Sequence, residues 1–185
     1  DFSLRLGDWN SKAGQTRPSD FMPATFRSFY AATHDGFWTN VENAGYSIVD
    51  QLQTNYAAAT GLVPDFSTNS FGWMPAKPKF LEGPHDGEYS YNACRVPWRI
   101  GWAAYGLDSE RARQIMSRFM TWAVSHHTNA TSFKAGYKLD GSDAGGNNYD
   151  TACFISPTGV AAMVTTNQQW LNDTFTYAMN RRESY

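Results

Sequence analysis

The sequence predicts an all-α fold made of helical hairpins. Three observations carry this. Apolar residues recur at spacings of three and four along six stretches, start and stop signals punctuate those stretches, and few runs alternate with the period of two that strands need.

The first stretch, residues 18–33, opens on Arg17-Pro18-Ser19-Asp20, an early Pro with Ser or Asp as candidate caps, and carries Phe21, Met22, Phe26, Phe29 and Tyr30. Residues 36–60 follow a Thr33-His34-Asp35-Gly36 break, place Val41, Ala44, Ile48, Leu52 and Ala59 on one stripe, and stop at Gly61. A second pair, 91–105 and 109–126, is split by Gly106-Leu107-Asp108. Ser109 is its N-cap, and Ile115, Phe119, Trp122 and Ala123 form the buried face. A third pair, 156–164 and 168–180, joins at Thr165-Thr166-Asn167. Three successive hairpins have the form of half a helical toroid, an inner ring of helices wrapped by an outer one. Half a ring cannot close its own core.

The connections 62–88 and 129–149, rich in Pro, Gly, Ser and Asn, are too long to be plain linkers in a compact domain, and long loops at one end of helical hairpins are where function tends to sit.

At 185 residues and 42% hydrophobic, the chain can bury one core, and residues 1–185 are read as part of one domain. With 15 Lys and Arg against 17 Asp and Glu and no basic run, nothing offsets phosphate charge, so no nucleic-acid partner is expected. No run approaches the roughly 20 apolar residues that span a bilayer, and Asp1-Phe2-Ser3-Leu4-Arg5 lacks a signal peptide's basic start and apolar run; no membrane association is expected. Seven Trp, ten Tyr and twelve Phe exceed the needs of a core this size and suit a cleft in which sugar rings stack. Cys94 and Cys153 are compatible with one disulfide or with two buried thiols; the position of Cys94 at a helix start favours the unpaired reading.

No metal or cofactor is expected. His126 and His127 are adjacent, so on a helix they point to different faces and read as a solvated helix end. Asp140-Gly141-Ser142-Asp143 lacks the closing glutamate of a calcium loop, and no strand precedes Gly145-Gly146 as a nucleotide fingerprint requires.

Three stretches go beyond helix packing: Leu6-Gly7-Asp8-Trp9 with Thr16-Arg17-Pro18-Ser19-Asp20-Phe21-Met22-Pro23; residues 82–99, ending in Tyr91-Asn92-Ala93-Cys94-Arg95-Val96-Pro97-Trp98-Arg99; and Asn148-Tyr149-Asp150. Together they resemble glycoside hydrolase family eight, once called cellulase family D, whose members include endoglucanases, lichenases, xylanases and chitosanases. The Arg-x-Pro-x-Arg helix start after a Tyr-(Asp/Asn)-Ala motif is the most specific part. The resemblance implies an (α/α)6 toroid, a polysaccharide substrate, a secreted bacterial-type enzyme and an inverting mechanism. Inversion needs one carboxylic acid and one carboxylate roughly 6.5–9.5 Å apart.

In the better-known branch of that family the base is an aspartate at the position of Asn92. An amide cannot accept the proton, so Asn92 cannot be the general base. A subfamily that shares this substitution, chitosanases often with glucanase activity, takes its base from a glutamate on an upstream loop. The resemblance thus points to Glu82, preceded by an apolar pair expected to desolvate it, with Glu88 and Asp86 as rivals. It also assigns Asp20 to positioning the water, against helix capping, and Trp9 and Asp8 to substrate binding, against a core Trp with a turn Asp. Tyr91, Arg95 and Arg99 are added as substrate-side residues, the two arginines expected to orient Glu82 or Asp20. Chitosan is the first-choice substrate, mixed-linkage β-glucan or cellulose the second.

The family's acid, in a Glu-Gly-x-Gly-Tyr-Gly type motif, and a second aspartate, in an Ala-x-Asp-Ala-Asp type motif, are not in this chain. The chain is therefore expected to be the C-terminal part of a catalytic domain, completed by an N-terminal part. Two rivals remain: a carbohydrate-binding module, which would be a β-sandwich, and a helical-repeat scaffold, which would not explain the aromatic loops.

Overall fold

A computed structural model describes residues 2–8 and 12–181. Six α-helices dominate: α1 (Pro23–Thr33), α2 (Phe37–Tyr56), α3 (Val96–Gly106), α4 (Glu110–His126), α5 (Ala152–Val164) and α6 (Gln168–Asn180). Consecutive helices pack as hairpins. α1, α3 and α5 lie side by side as one layer, α2 and α4 cover it, and α6 packs back on α5. One apolar core runs through all three hairpins, from Phe21, Ile48 and Leu52 through Ile100, Ile115 and Phe119 to Phe154, Ile155 and Trp170. No helix among the described residues is long and apolar enough to cross a membrane.

The boundaries differ from the sequence reading where proline decides. Pro23 ends the expected 18–33 helix before it forms. Its ring excludes an i−4 carbonyl bond and pushes Met22 off helical angles (φ −119°, ψ 73°), so 18–20 is only a 3-10 turn and α1 starts at Pro23. α2 stops at Tyr56, short of Thr60, because the chain turns through Thr60 to Gly61 (φ +65°), where any Cβ would lie 2.5 Å from the Phe119 amide. α3 is preceded by a 3-10 turn, Ala93–Arg95, in place of helix from residue 91. α5 begins a full turn before the expected Ser156, with Thr151 in the N-cap position but making no side-chain cap bond, and Pro157 sits inside the helix. Ser109 caps α4 as expected, and Asn167 caps α6 by accepting from the Trp170 amide at 2.9 Å.

The long 62–88 connection, expected to be loop, holds β2 (Ser67–Asn69) and β3 (Trp73–Pro75) of a small antiparallel sheet to which the earlier β1 (Gln15–Thr16) adds an edge, ordered β1-β2-β3, with Thr16 opposite Ser67 and Ser67 opposite Pro75. Strands of two and three residues are too short to show alternation.

On α3, one face buries Val96, Ile100, Ala103 and Ala104, while Trp98, Trp102 and Tyr105, three and four residues apart, form a half-exposed stripe on the other. The α1–α3–α5 layer is thus covered on one side only.

Candidate active site

Glu82 lies on a loop whose shape is set by Asp86. The buried Asp86 carboxylate, 2% exposed, accepts the amides of Leu81 (2.6 Å), Glu82 (3.0 Å) and Gly83 (2.8 Å), closing a tight turn around Glu82. The loop is riveted to the strand segment by Phe66 N–H to Asp86 carbonyl (2.8 Å) and Asp65 N–H to Glu88 carbonyl (2.8 Å). Glu88 is engaged with His85 Nδ1 at 2.6 Å. Of the three candidate bases, Asp86 organises the loop and Glu88 pairs with His85, leaving Glu82 to project outward.

The Glu82 side chain is 51% exposed and is held by two donors, Arg17 Nη2 on Oε1 (3.1 Å) and Asn92 Nδ2 on Oε2 (2.8 Å). The expected desolvation by the preceding apolar pair is not what the fold provides. Leu81 is itself exposed and Phe80 turns away onto Phe66, so Glu82 is fixed by hydrogen bonds and not by an apolar pocket.

Asn92 sits at the start of the 3-10 turn before α3. Its amide also approaches Asp65 Oδ2 (3.4 Å), and its carbonyl accepts from Arg95 Nη2 (3.0 Å). Asp65, which the sequence reading missed, is 5% exposed and accepts the amides of Ser90 (3.0 Å), Asn92 (3.1 Å) and Ala93 (2.6 Å). Burial pushes its carboxyl up to about 6, a rise those hydrogen bonds hold in check.

Asp20 is at the end of the 18–20 turn and does not cap α1, whose first residue comes three positions later. Its carboxylate meets Arg99 (3.2 Å), Arg95 (3.7 Å) and Arg17 (3.8 Å). The two expected arginines therefore orient Asp20 and Asn92, while Arg17, not anticipated, serves Glu82 and faces Asp20 through its other terminal nitrogen. Arg17 is set by its guanidinium lying over the Phe66 ring at 5.0 Å, and Arg95 by a bond to Ser19 Oγ at 2.8 Å.

Tyr91 is half exposed; its hydroxyl bonds that of Tyr149 at 2.6 Å, which pushes it up to about 12, and its ring meets Phe154 edge-on. A largely apolar groove of about 400 Å³ opens beside Arg95 between α3 and α5, with Trp98, Pro157 and Val160 in its walls. Cys94 and Cys153 line it as well. No disulfide joins the two, and only Cys94 is buried.

Asp8 is exposed, and Trp9 lies outside the described residues. His127 departs from the solvated helix end: it packs against Trp122, Phe133, Tyr137 and Trp170, while His126 stays exposed. Asp140 turns its carboxylate back on Ser142 N–H (2.9 Å) and Oγ (2.6 Å). Among the described residues no three His, Cys, Asp or Glu side chains are placed to hold a metal ion.

Glu82, held between an amide and an arginine, with Asp20 facing the same arginine, is a pair of fixed carboxylates that could accept a proton from a bound water molecule. The chain is 40% identical over 181 residues to a β-glucanase of Niallia circulans, covering 95% of this chain and 44% of that protein. It is 38% identical over 188 residues to an endoglucanase of Bacillus sp. strain KSM-330, covering 98% of this chain and 40% of that one. It superimposes on the apo structure of a β-1,3-1,4-glucanase from Paenibacillus sp. X4 with a TM-score of 0.93 at 38% identity, over 99% of this chain and 50% of the other. The chain thus spans half or less of the length of these relatives. The family model described as glycosyl hydrolases family 8 matches residues 5–185, and the chain belongs to that family.

Proposed function

We propose that this chain is the base-bearing part of an inverting endo-β-glucanase, with Glu82 as the general base. The observation that carries the reading is the Asn92–Glu82 hydrogen bond. The amide that cannot take a proton is spent on holding the carboxylate that can. Arg17 and Asn92 occupy one lone-pair direction on each Glu82 oxygen and leave room for a water, and Asp20, facing the same Arg17, is the second acceptor for that water. The general acid is supplied by an N-terminal part of the same catalytic domain, Tyr91 and Trp98 line the path of the sugar chain, and Trp9 is a further substrate-binding residue. The enzyme is secreted, where its polymeric substrate is.

Mixed-linkage or β-1,4-linked glucan is the substrate, ahead of chitosan. The named relatives are a β-glucanase, an endoglucanase and a β-1,3-1,4-glucanase. The carboxylates that chitosan's ammonium groups would need are also committed elsewhere. Asp86 is buried in its loop, Glu88 is paired with His85, Asp150 with Tyr177 and Arg181, and Asp20 with arginines. Of Asp8, Asp20, Asp86, Glu88, Asp143 and Asp150, the carboxylates in loops or at helix starts that could face such a substrate, that leaves Asp8 and Asp143.

Release of reducing ends by the complete enzyme should be faster on mixed-linkage β-glucan than on chitosan, with the product anomer inverted. Faster release from chitosan would restore the other substrate order, and retention of configuration would remove the two-carboxylate water mechanism.

A further inference from the structure

We infer that Asp65 is a positioning residue for the reaction: it fixes the orientation of the Asn92 amide and, through it, the Glu82 carboxylate. The inference rests on the reading of Glu82 as the base.

Asp65 divides its two oxygens. Oδ1 takes the three backbone amides of Ser90, Asn92 and Ala93, which is enough to hold the turn. Oδ2 is aimed at Asn92 Nδ2. An Asn side chain has two faces that sterics barely distinguish, so its neighbours decide which atom points where. Here all three agree. Glu82 and Asp65 are acceptors on the Nδ2 side, and Arg95 is a donor on the Oδ1 side. Turned over, the amide would set its carbonyl oxygen against the Glu82 carboxylate.

The main chain adds a second tie. Asp65 N–H donates to Glu88 and Phe66 N–H to Asp86, so the residue whose side chain sets Asn92 is also bonded to the loop that carries Glu82. One buried residue therefore ties both partners of the 2.8 Å hydrogen bond, Asn92 through its carboxylate and the Glu82 loop through its main chain.

The test is a cycle of variants in the complete enzyme. Asp65→Asn keeps an oxygen for the three amides but can turn an NH2 toward Asn92 Nδ2, donor against donor. It should lower kcat about 10- to 100-fold with KM within about twofold, the signature of a misplaced reacting group and not of lost binding. Asn92→Ala should lower kcat to a similar extent, and the double variant should be no worse than either single one, because the two act in series. A melting temperature that drops with kcat unchanged, or losses that multiply in the double variant, would overturn the inference. Should Asp65→Asn not fold, Asn92→Ala alone decides: wild-type kcat there breaks the relay. Glu82→Gln separates the two levels. If it abolishes turnover while Asp65→Asn and Asn92→Ala do not lower kcat, the base stands and only this inference falls. If Glu82→Gln retains wild-type kcat, both fall.

Discussion

The side-chain amide of Asn92 donates to Glu82 Oε2 at 2.8 Å, joining the start of α3 to a loop ten residues earlier. Asn92 is the one neutral member of a group in which Asp65 and Glu82 lie on one side and Arg95 on the other. An aspartate at 92 would face two carboxylates with no proton to give either, so Asn92→Asp should lower activity and not rescue it. The added charge should move the acid limb of kcat upward by about one pH unit or more. A pH–rate profile checks this, and an activity gain with an unmoved limb would contradict it.

The loop's geometry rests on Asp86 and Gly87. Asp86→Ala strands three amide donors, a cost of about 1–3 kcal/mol, and should lower kcat by releasing Glu82. Gly87→Ala removes no carboxylate, yet its Cβ would fall 2.1 Å from the Ala76 carbonyl oxygen, so it should lower kcat too. Glu88→Ala, which loses only the His85 pair, should be nearly neutral. Melting curves and kcat for the three variants test the ranking; a wild-type kcat for Gly87→Ala would show that loop shape does not matter.

Acid should weaken the fold through His127. Burial among aromatic rings lowers it to about 4, with His126 and Lys134 adding to the fall and Asp143 opposing it. The unfolded chain then binds the extra proton between about 6.5 and 4, so stability is present above 6.5 and is lost as pH falls through that window. Asp65 works in the other direction. Its raised value favours the folded state below the ordinary 3.8, and that contribution is lost as pH rises through about 6. The net fall on acidification should therefore be shallower than His127 alone would give. His127 Nε2 is buried without a hydrogen-bond partner among the described residues, so His127→Phe should fold and should flatten the acid side of the melting-temperature profile. Parallel profiles for the two proteins would contradict this.

Trp98, Trp102 and Tyr105 form a half-exposed stripe, and Phe29, Tyr30 and Phe37 are exposed on the first hairpin, apolar surface that a second part of the domain could cover. On the proposed reading, the isolated 185-residue chain should self-associate and show no turnover, and an added N-terminal part should restore both dispersity and activity. Sedimentation and a reducing-end assay check this. A monodisperse, active 185-residue chain would require an acid within it.

The helices were legible because apolar periodicity survives in each of them and Ser109 announces its own cap. The pairing of Glu82 with the Asn92 motif was legible through family resemblance. What escaped notice is what depends on contact across the chain. Asp65, in Pro64-Asp65-Phe66, has no spacing that links it to a turn 25 to 28 residues on, although an acidic residue inside an apolar run was a signal that it is buried and bonded. Arg17 looked like part of a helix start until Pro23 is seen to break that helix. His127 looked solvated because the rings that cover it come from residues 122, 133, 137 and 170.

The measurement that bears most directly on the central claim is kcat for Glu82→Gln in the complete enzyme, alongside substrate affinity. The amide keeps the shape and the hydrogen bond from Arg17 but cannot accept a proton from water. If Glu82 is the base, kcat falls about 10²–10⁴-fold with binding nearly unchanged. Wild-type kcat in that variant would contradict it and move the search for the base to Glu88.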